Sequence, residues 1–177
     1  MSTYRRLSVV GMLLVLFLGG LAGCSRRSDA GSINAAAAKI ANFSLPAGYS
    51  PEATAEIGGY LFVSYAPGDG HSHIQFIQAP ADATVDRATL EKYIQQASQN
   101  RDYDPNTRSQ VVGSFQATIR GQSVTLVISE ATNSAHQPYR SVTGVFQGKG
   151  GTALLSVESP VNSWNQGAVD QFIASIS

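Results

Sequence analysis

The chain is short of cysteine, tryptophan and charge. Cys24 is its only cysteine among 177 residues, so no internal disulfide can form and any folded part must hold itself by an apolar core. Asp, Glu, Lys and Arg make up only 14% of the chain and cancel to a formal net charge of +0. Nucleic-acid backbones are held by clustered Lys and Arg. A chain this lightly and evenly charged lacks such clusters, which excludes nucleic acid as a partner. No Gly-x-Ser-x-Gly nucleophile elbow occurs, which leaves a serine hydrolase without its usual scaffold signal. The run from Gly144 to Gly150 has the glycines of a phosphate loop but is one residue short. It also puts Gly150 where a Ser or Thr must bind magnesium, so it reads as a hairpin tip. No cofactor motif is found, and the chain is expected to be non-enzymatic.

What is present is a tether. Arg5 and Arg6 open the chain, Leu7–Leu18 is apolar and uncharged, and Gly19, Gly20, Ala22 and Gly23 are the small residues that a signal peptidase needs near its cut. The segment closes on Leu21-Ala22-Gly23-Cys24, which resembles the lipobox of bacterial lipoproteins. That resemblance implies a lipid on Cys24, cleavage before it, and a domain held at a cell membrane or outer membrane, facing periplasm or exterior. It also gives the lone cysteine of an exported chain a use. Several acyl chains are needed for a stable hold, because each buried methylene adds about 0.8 kcal/mol. Removing residues 1–23 takes away Arg5 and Arg6 and no acid, so 10 of the 12 basic residues stay against 12 acidic ones. Arg26 and Arg27 would then lie beside the lipid, where they assist contact with anionic headgroups. Residues 24–39, small and polar, read as a lipidated flexible linker; a short helix over 35–40 is the alternative, marginal on its own.

Residues 40–177 read as one α+β domain. Ile40–Leu45 is expected as a first strand. Residues 53–65 form an extended segment with a bulge or bend at Gly58-Gly59. Pro67-Gly68-Asp69-Gly70 is a turn, and His73–Gln78 returns as a strand. Residues 81–100 switch to helical spacing through Leu90, Tyr93, Ile94 and Ala97, with Thr84 or Asp86 as cap, and 101–108 is a polar loop. Residues 109–120 and 122–129 flank Gly121 as a hairpin. Residues 131–138 form a loop, and Tyr139–Gln147 and Thr152–Glu158 form a second hairpin. Asn162 is expected to cap a last helix whose Trp164, Ala168, Val169, Phe172, Ile173 and Ile176 share one stripe. Antiparallel strands with two or more helices give a central sheet packed as an α/β/α sandwich.

Leu45-Pro46-Ala47-Gly48-Tyr49 resembles the opening of PsbP-like and DcrB-like domains, and Trp164 with Phe172-Ile173 and Ser175-Ile176 resembles their closing helix. The resemblance implies a central antiparallel sheet between helices and no shared catalytic residue set. Some members are bacterial lipoproteins and others are extrinsic subunits of photosynthetic membranes.

The sharpest constellation is Asp69, His71 and His73. Residues i and i+2 on a strand point to one side, so two imidazoles and a carboxylate could meet one metal; a polar turn is the plainer alternative. His136 is the third histidine. Glu130, Arg140 and Arg120 at strand ends are expected to pair across strands. Tyr60, Phe62, Phe115, Phe146, Trp164 and Phe172 are read as core, or as the lining of an apolar ligand cleft between sheet and helix. The leading reading is a membrane-anchored, non-catalytic binding or support domain with an envelope protein as partner; the second is a small-ligand or metal carrier.

Overall fold

The computed structural model describes residues 29–97, 109–132 and 136–177. In chain order these form α1 (Ala30–Ala38), β1 (Ser50–Ile57), β2 (Tyr60–Ala66), β3 (His73–Gln78), α2 (Arg87–Ala97), β4 (Gln110–Ile119), β5 (Gln122–Thr132), β6 (Pro138–Gln147), β7 (Thr152–Pro160), a 3-10 turn (Val161–Ser163) and α3 (Gln166–Ala174). The strands make one seven-stranded sheet in the order β1-β2-β3-β7-β6-β5-β4. Every neighbouring pair is antiparallel. No helix among the described residues is long and apolar enough to cross a membrane.

The central strands β2, β3 and β7 are buried on both faces because both faces are covered. Val63, Tyr65, Ile74, Phe76, Leu155 and Val157 pack under Ile33 and Ala37 of α1 and Val169, Phe172 and Ile173 of α3. Phe62, Ile77 and Leu154 point the other way and meet Leu90 and Ile94 of α2. The result is the expected α/β/α sandwich, with the larger core on the α1/α3 side.

Several boundaries are corrected. Residues 30–38 are a docked helix, not part of a flexible linker, so the domain begins ahead of residue 40. Asp29 caps α1 by accepting the Ser32 N–H. Ile33, Ala36 and Ala37, spaced i, i+3, i+4, sink into the core, and that tertiary contact supplies what an isolated alanine run lacks. Ile40–Leu45 is not a strand but an irregular connector crossing the α1/α3 face. Its Phe43 stacks on Phe76, and the Asn42 backbone exchanges hydrogen bonds with that of Ser177. Gly58-Gly59 is a hairpin turn with φ of 59° and 84°, and the bulge lies instead between Pro51 and Ala53. Asp86 is the α2 cap, through the Thr89 N–H. The cap of α3 is Asn165, which accepts the Ala168 N–H, because Val161–Ser163 takes up a separate 3-10 turn before the helix. The expected loop at 101–108 lies outside the described residues. Part of the expected 131–138 loop is strand, since β5 runs to Thr132 and β6 starts at Pro138.

Candidate functional site

Asp69 sits in the β2–β3 turn and organises it. Its Oδ1 accepts the backbone N–H groups of His71 and Ser72, each at 2.8 Å, and its Oδ2 accepts the Ser72 hydroxyl at 2.8 Å. Ser72 Oγ in turn lies 3.1 Å from Ser159 Oγ at the end of β7. Partial burial pushes the Asp69 carboxyl up, but these donors together hold it below the ordinary carboxylate value. Tyr49 beside it is pushed up by burial and by the Asp69 charge.

His71 is exposed and still in the turn, so it does not share a strand face with His73. His73 opens β3 and is buried, with Nδ1 3.4 Å from Glu52 Oε2 on β1 and no hydrogen bond made by that nitrogen. The i, i+2 rule fails here because only one of the two histidines has entered the strand. Among the described residues no group of three or more His, Cys, Asp or Glu is placed to hold a metal ion. His136, with φ of 59°, lies exposed beside β6. Cys24 lies outside the described residues.

This turn gives a pH-dependent prediction. A carboxyl held below its unfolded value stabilises the fold above that value, and the stabilisation is lost as pH falls through the folded value. Replacing Asp69 with alanine is expected to cost about 0.5–1 kcal/mol at pH 7, a modest figure because solvent screens the site. The wild-type advantage should shrink as pH falls through the folded Asp69 value, which lies below the ordinary carboxylate value; urea midpoints of the two proteins across pH 2–7 check this.

The α2 side of the sheet carries a polar row that periodicity alone did not disclose. Pairing aligns Ser64 of β2, Gln75 of β3, Ser156 of β7 and Thr143 of β6, and the first three are buried. Arg87 of α2 reaches down to this row, donating from Nη2 to the Thr143 carbonyl at 2.7 Å and hydroxyl at 3.0 Å. Ser64 donates its hydroxyl to Glu52 Oε2 at 2.8 Å. Ser64, Glu52 and His73 are thus neighbours, but in the wrong order for a nucleophile. The base must take the serine proton, whereas here the carboxylate lies between serine and imidazole and Ser64 is 0% exposed.

The second candidate is a groove of about 740 Å³ between β4 and α3. Phe115 and Ala117 of β4 and Ile173 and Ile176 form its apolar floor, and Arg120 and Asp170 stand on its rim. Arg120 was expected to join Glu130 and Arg140. Instead its Nη1 donates to the Gln147 carbonyl at 2.8 Å, and its backbone takes φ of 51° in the β4–β5 turn. Glu130 and Arg140 do pair across β5 and β6, through Nε at 3.0 Å, with the guanidinium 5.8 Å from the Trp164 ring. Phe62, Phe146 and Phe172 are buried core, while Tyr60, Phe115 and Trp164 are half-buried.

No protein-family model and no curated protein matches the chain. Among solved structures it is similar to the solution structure of cyanobacterial PsbP (CyanoP) from Synechocystis, at 14% identity and a TM-score of 0.44, over 90% of this chain and 99% of that one.

Proposed function

We propose that this chain is an exported lipoprotein whose α/β/α domain serves as a non-catalytic binding or support module at a membrane surface. The observation that carries the reading is Leu21-Ala22-Gly23-Cys24 at the end of an uncharged apolar run, holding the only cysteine. The fold adds a constraint. Asp29 already caps α1, so only residues 25–28 separate the docked domain from Cys24. Five residue steps span at most about 18 Å, and the domain would therefore sit close against the bilayer rather than at the end of a long leash. The likeness of Leu45–Tyr49 and the closing helix to PsbP-like and DcrB-like domains agrees with this reading. In the structure both segments are packing elements: Leu45, Tyr49 and Trp164 lie against the main core.

The test is metabolic lipid labelling of the full chain. Cys24→Ser should abolish labelling and leave the precursor uncleaved, a complete loss rather than a partial one. Continued cleavage or labelling would overturn the proposal. A second reading, carriage of a small apolar ligand, is favoured by the β4/α3 groove alone. Native mass spectrometry of protein from its own host should then show retained mass that disappears when Ala117 on the groove floor is replaced by Trp.

A further inference from the structure

The two outer strands of the sheet are built differently. β1 carries Pro51, Glu52 and Glu56 and a bulge, and α1 packs against it. Proline, charge, bulges and cover are the devices that keep an edge strand from pairing. β4 reads Gln-Val-Val-Gly-Ser-Phe-Gln-Ala-Thr-Ile over 10 residues, with no charge and no proline. Among the described residues its defences are a bulge near its start, between Val111 and Gly113, and α3 packed against it. Beside that bulge stand Val111 and Val112, the exposed large hydrophobics among the described residues, at 65% and 49%.

The hairpin fixes which backbone groups β4 offers. Arg120 and Gly121 have φ of 51° and 76°, the pattern of a two-residue type I′ turn, which makes the closing pair Ile119 and Gln122 a hydrogen-bonded one. Counting back by twos, Ala117 and Phe115 also turn their N–H and C=O groups toward β5. Ser114, Gln116 and Thr118 turn theirs outward.

We propose that this edge pairs antiparallel, about a two-fold axis, with β4 of a second copy of the chain. Phe115 lies opposite its mate, so that each Ser114 faces the other copy's Gln116. A two-fold antiparallel pair is self-complementary, and a strand without charge brings no like charges face to face. On the helix side, Phe115 is at once part of the groove floor and the residue presented across the axis, so each copy closes the open side of the other's groove. The axis runs normal to the sheet. Both α1 helices then lie on the same face of the joined sheet, and both chain starts can reach one bilayer. The pairing does not depend on the lipid, although anchoring would raise the encounter rate by confining both copies to a plane.

The test is the mass of the full chain in detergent micelles by sedimentation, over a range of concentrations. Two chains per particle are expected. Ser114→Pro removes one outward N–H and leaves the β5 ladder intact; it should weaken dimerisation at least tenfold, as should Ser114→Lys. Gln95→Lys on the exposed side of α2 should leave dimerisation unchanged. Should the proline variant misfold by circular dichroism, the lysine variant carries the test. Phe115→Cys should give a disulfide-linked pair on non-reducing gels, since directly opposed residues of a non-hydrogen-bonded pair meet disulfide geometry. A single chain per particle at about 100 μM, a dimer indifferent to both Ser114 variants, or a strand of another protein found on β4 would overturn it. The Cys24→Ser chain should pair with the same affinity, so loss of lipid and loss of pairing are separate results.

Discussion

Replacing Phe76 by alanine should cost about 3–5 kcal/mol, the range for truncating a buried phenylalanine. Phe76 sits in the middle of β3 and is 0% exposed. Its ring stacks on Phe43 of the connector at 4.9 Å and meets Phe172 of α3 at 6.2 Å and Phe146 of β6 at 6.3 Å, both edge-on. One side chain therefore joins the sheet, the connector and the last helix. Its removal takes away the transfer energy of the ring and three aromatic contacts worth about 0.5–1.5 kcal/mol each where geometry is favourable. The neighbours cannot collapse into the gap, because Phe43 and Phe172 are themselves fixed by Tyr65 and by each other. With a urea slope near 2 kcal/mol per molar, the midpoint should fall by roughly 2 M at unchanged slope. Phe76→Leu, which keeps most of the volume, should lose about a third as much. Val111→Ala on the exposed edge should stay within about 0.5 kcal/mol. A midpoint shift under about 0.5 M for Phe76→Ala would mean that the connector does not rest on this ring.

The elements that could be read from the sequence are those whose signal is local. β3 is legible at His73–Gln78 because Pro67–Gly70 punctuates the chain before it and Pro80 after it. The two hairpins around Gly121 and Gly148–Gly151 follow from glycine placed between alternating runs. What could not be read depends on distant partners. α1 has one large apolar residue, Ile33, and becomes a stable helix only when that residue finds the sheet. Asn162 and Asn165 are equally good caps by composition, and the 3-10 turn that separates them is set by how β7 ends. The Asp69, His71 and His73 constellation was legible as residues but not as geometry. The carboxylate that appeared free for a metal is engaged by its own turn, a competition that short polar side chains usually win. The β4/α3 groove brings together segments about fifty positions apart, and no local pattern announces it. The buried row of Ser64, Gln75 and Ser156 left one trace, the polar positions alternating with Ile74 and Phe76 in β3.

Gly151→Ala is expected to destabilise the domain by about 3 kcal/mol or more, through backbone rather than packing. Gly151 adopts φ of 152°, a conformation that L side chains rarely occupy and that costs of order 1–3 kcal/mol for them. The added Cβ would also fall on the Ala79 carbonyl oxygen and within 3.0 Å of that of Pro80. These are main-chain atoms, so no side-chain rotation relieves the clash. Nor can the two segments part freely. The Ala79 N–H donates to the Thr152 carbonyl at 2.8 Å, the Gly148 N–H to that of Gly151 at 2.9 Å and the Lys149 N–H to that of Ile40 at 2.8 Å. The Gly150 N–H reaches Gln78 Oε1 at 3.0 Å, and Lys149 Nζ holds the Ala38 carbonyl at 3.0 Å. The β6–β7 turn thus ties together the end of α1, the end of β3 and the start of β7. Displacing it loosens all three. The melting temperature should drop by about 6–12 °C, at 2–4 °C per kcal/mol for a domain of this size, and amide exchange at Lys149 should speed up more than at Leu126 in β5. Gly121→Ala is the informative contrast. It also has positive φ, but a Cβ there meets nothing within 4 Å, so only the left-handed strain of about 1–2 kcal/mol applies. Equal losses at the two glycines would show that conformational strain alone governs both turns and that the Gly151 contact with β3 contributes nothing.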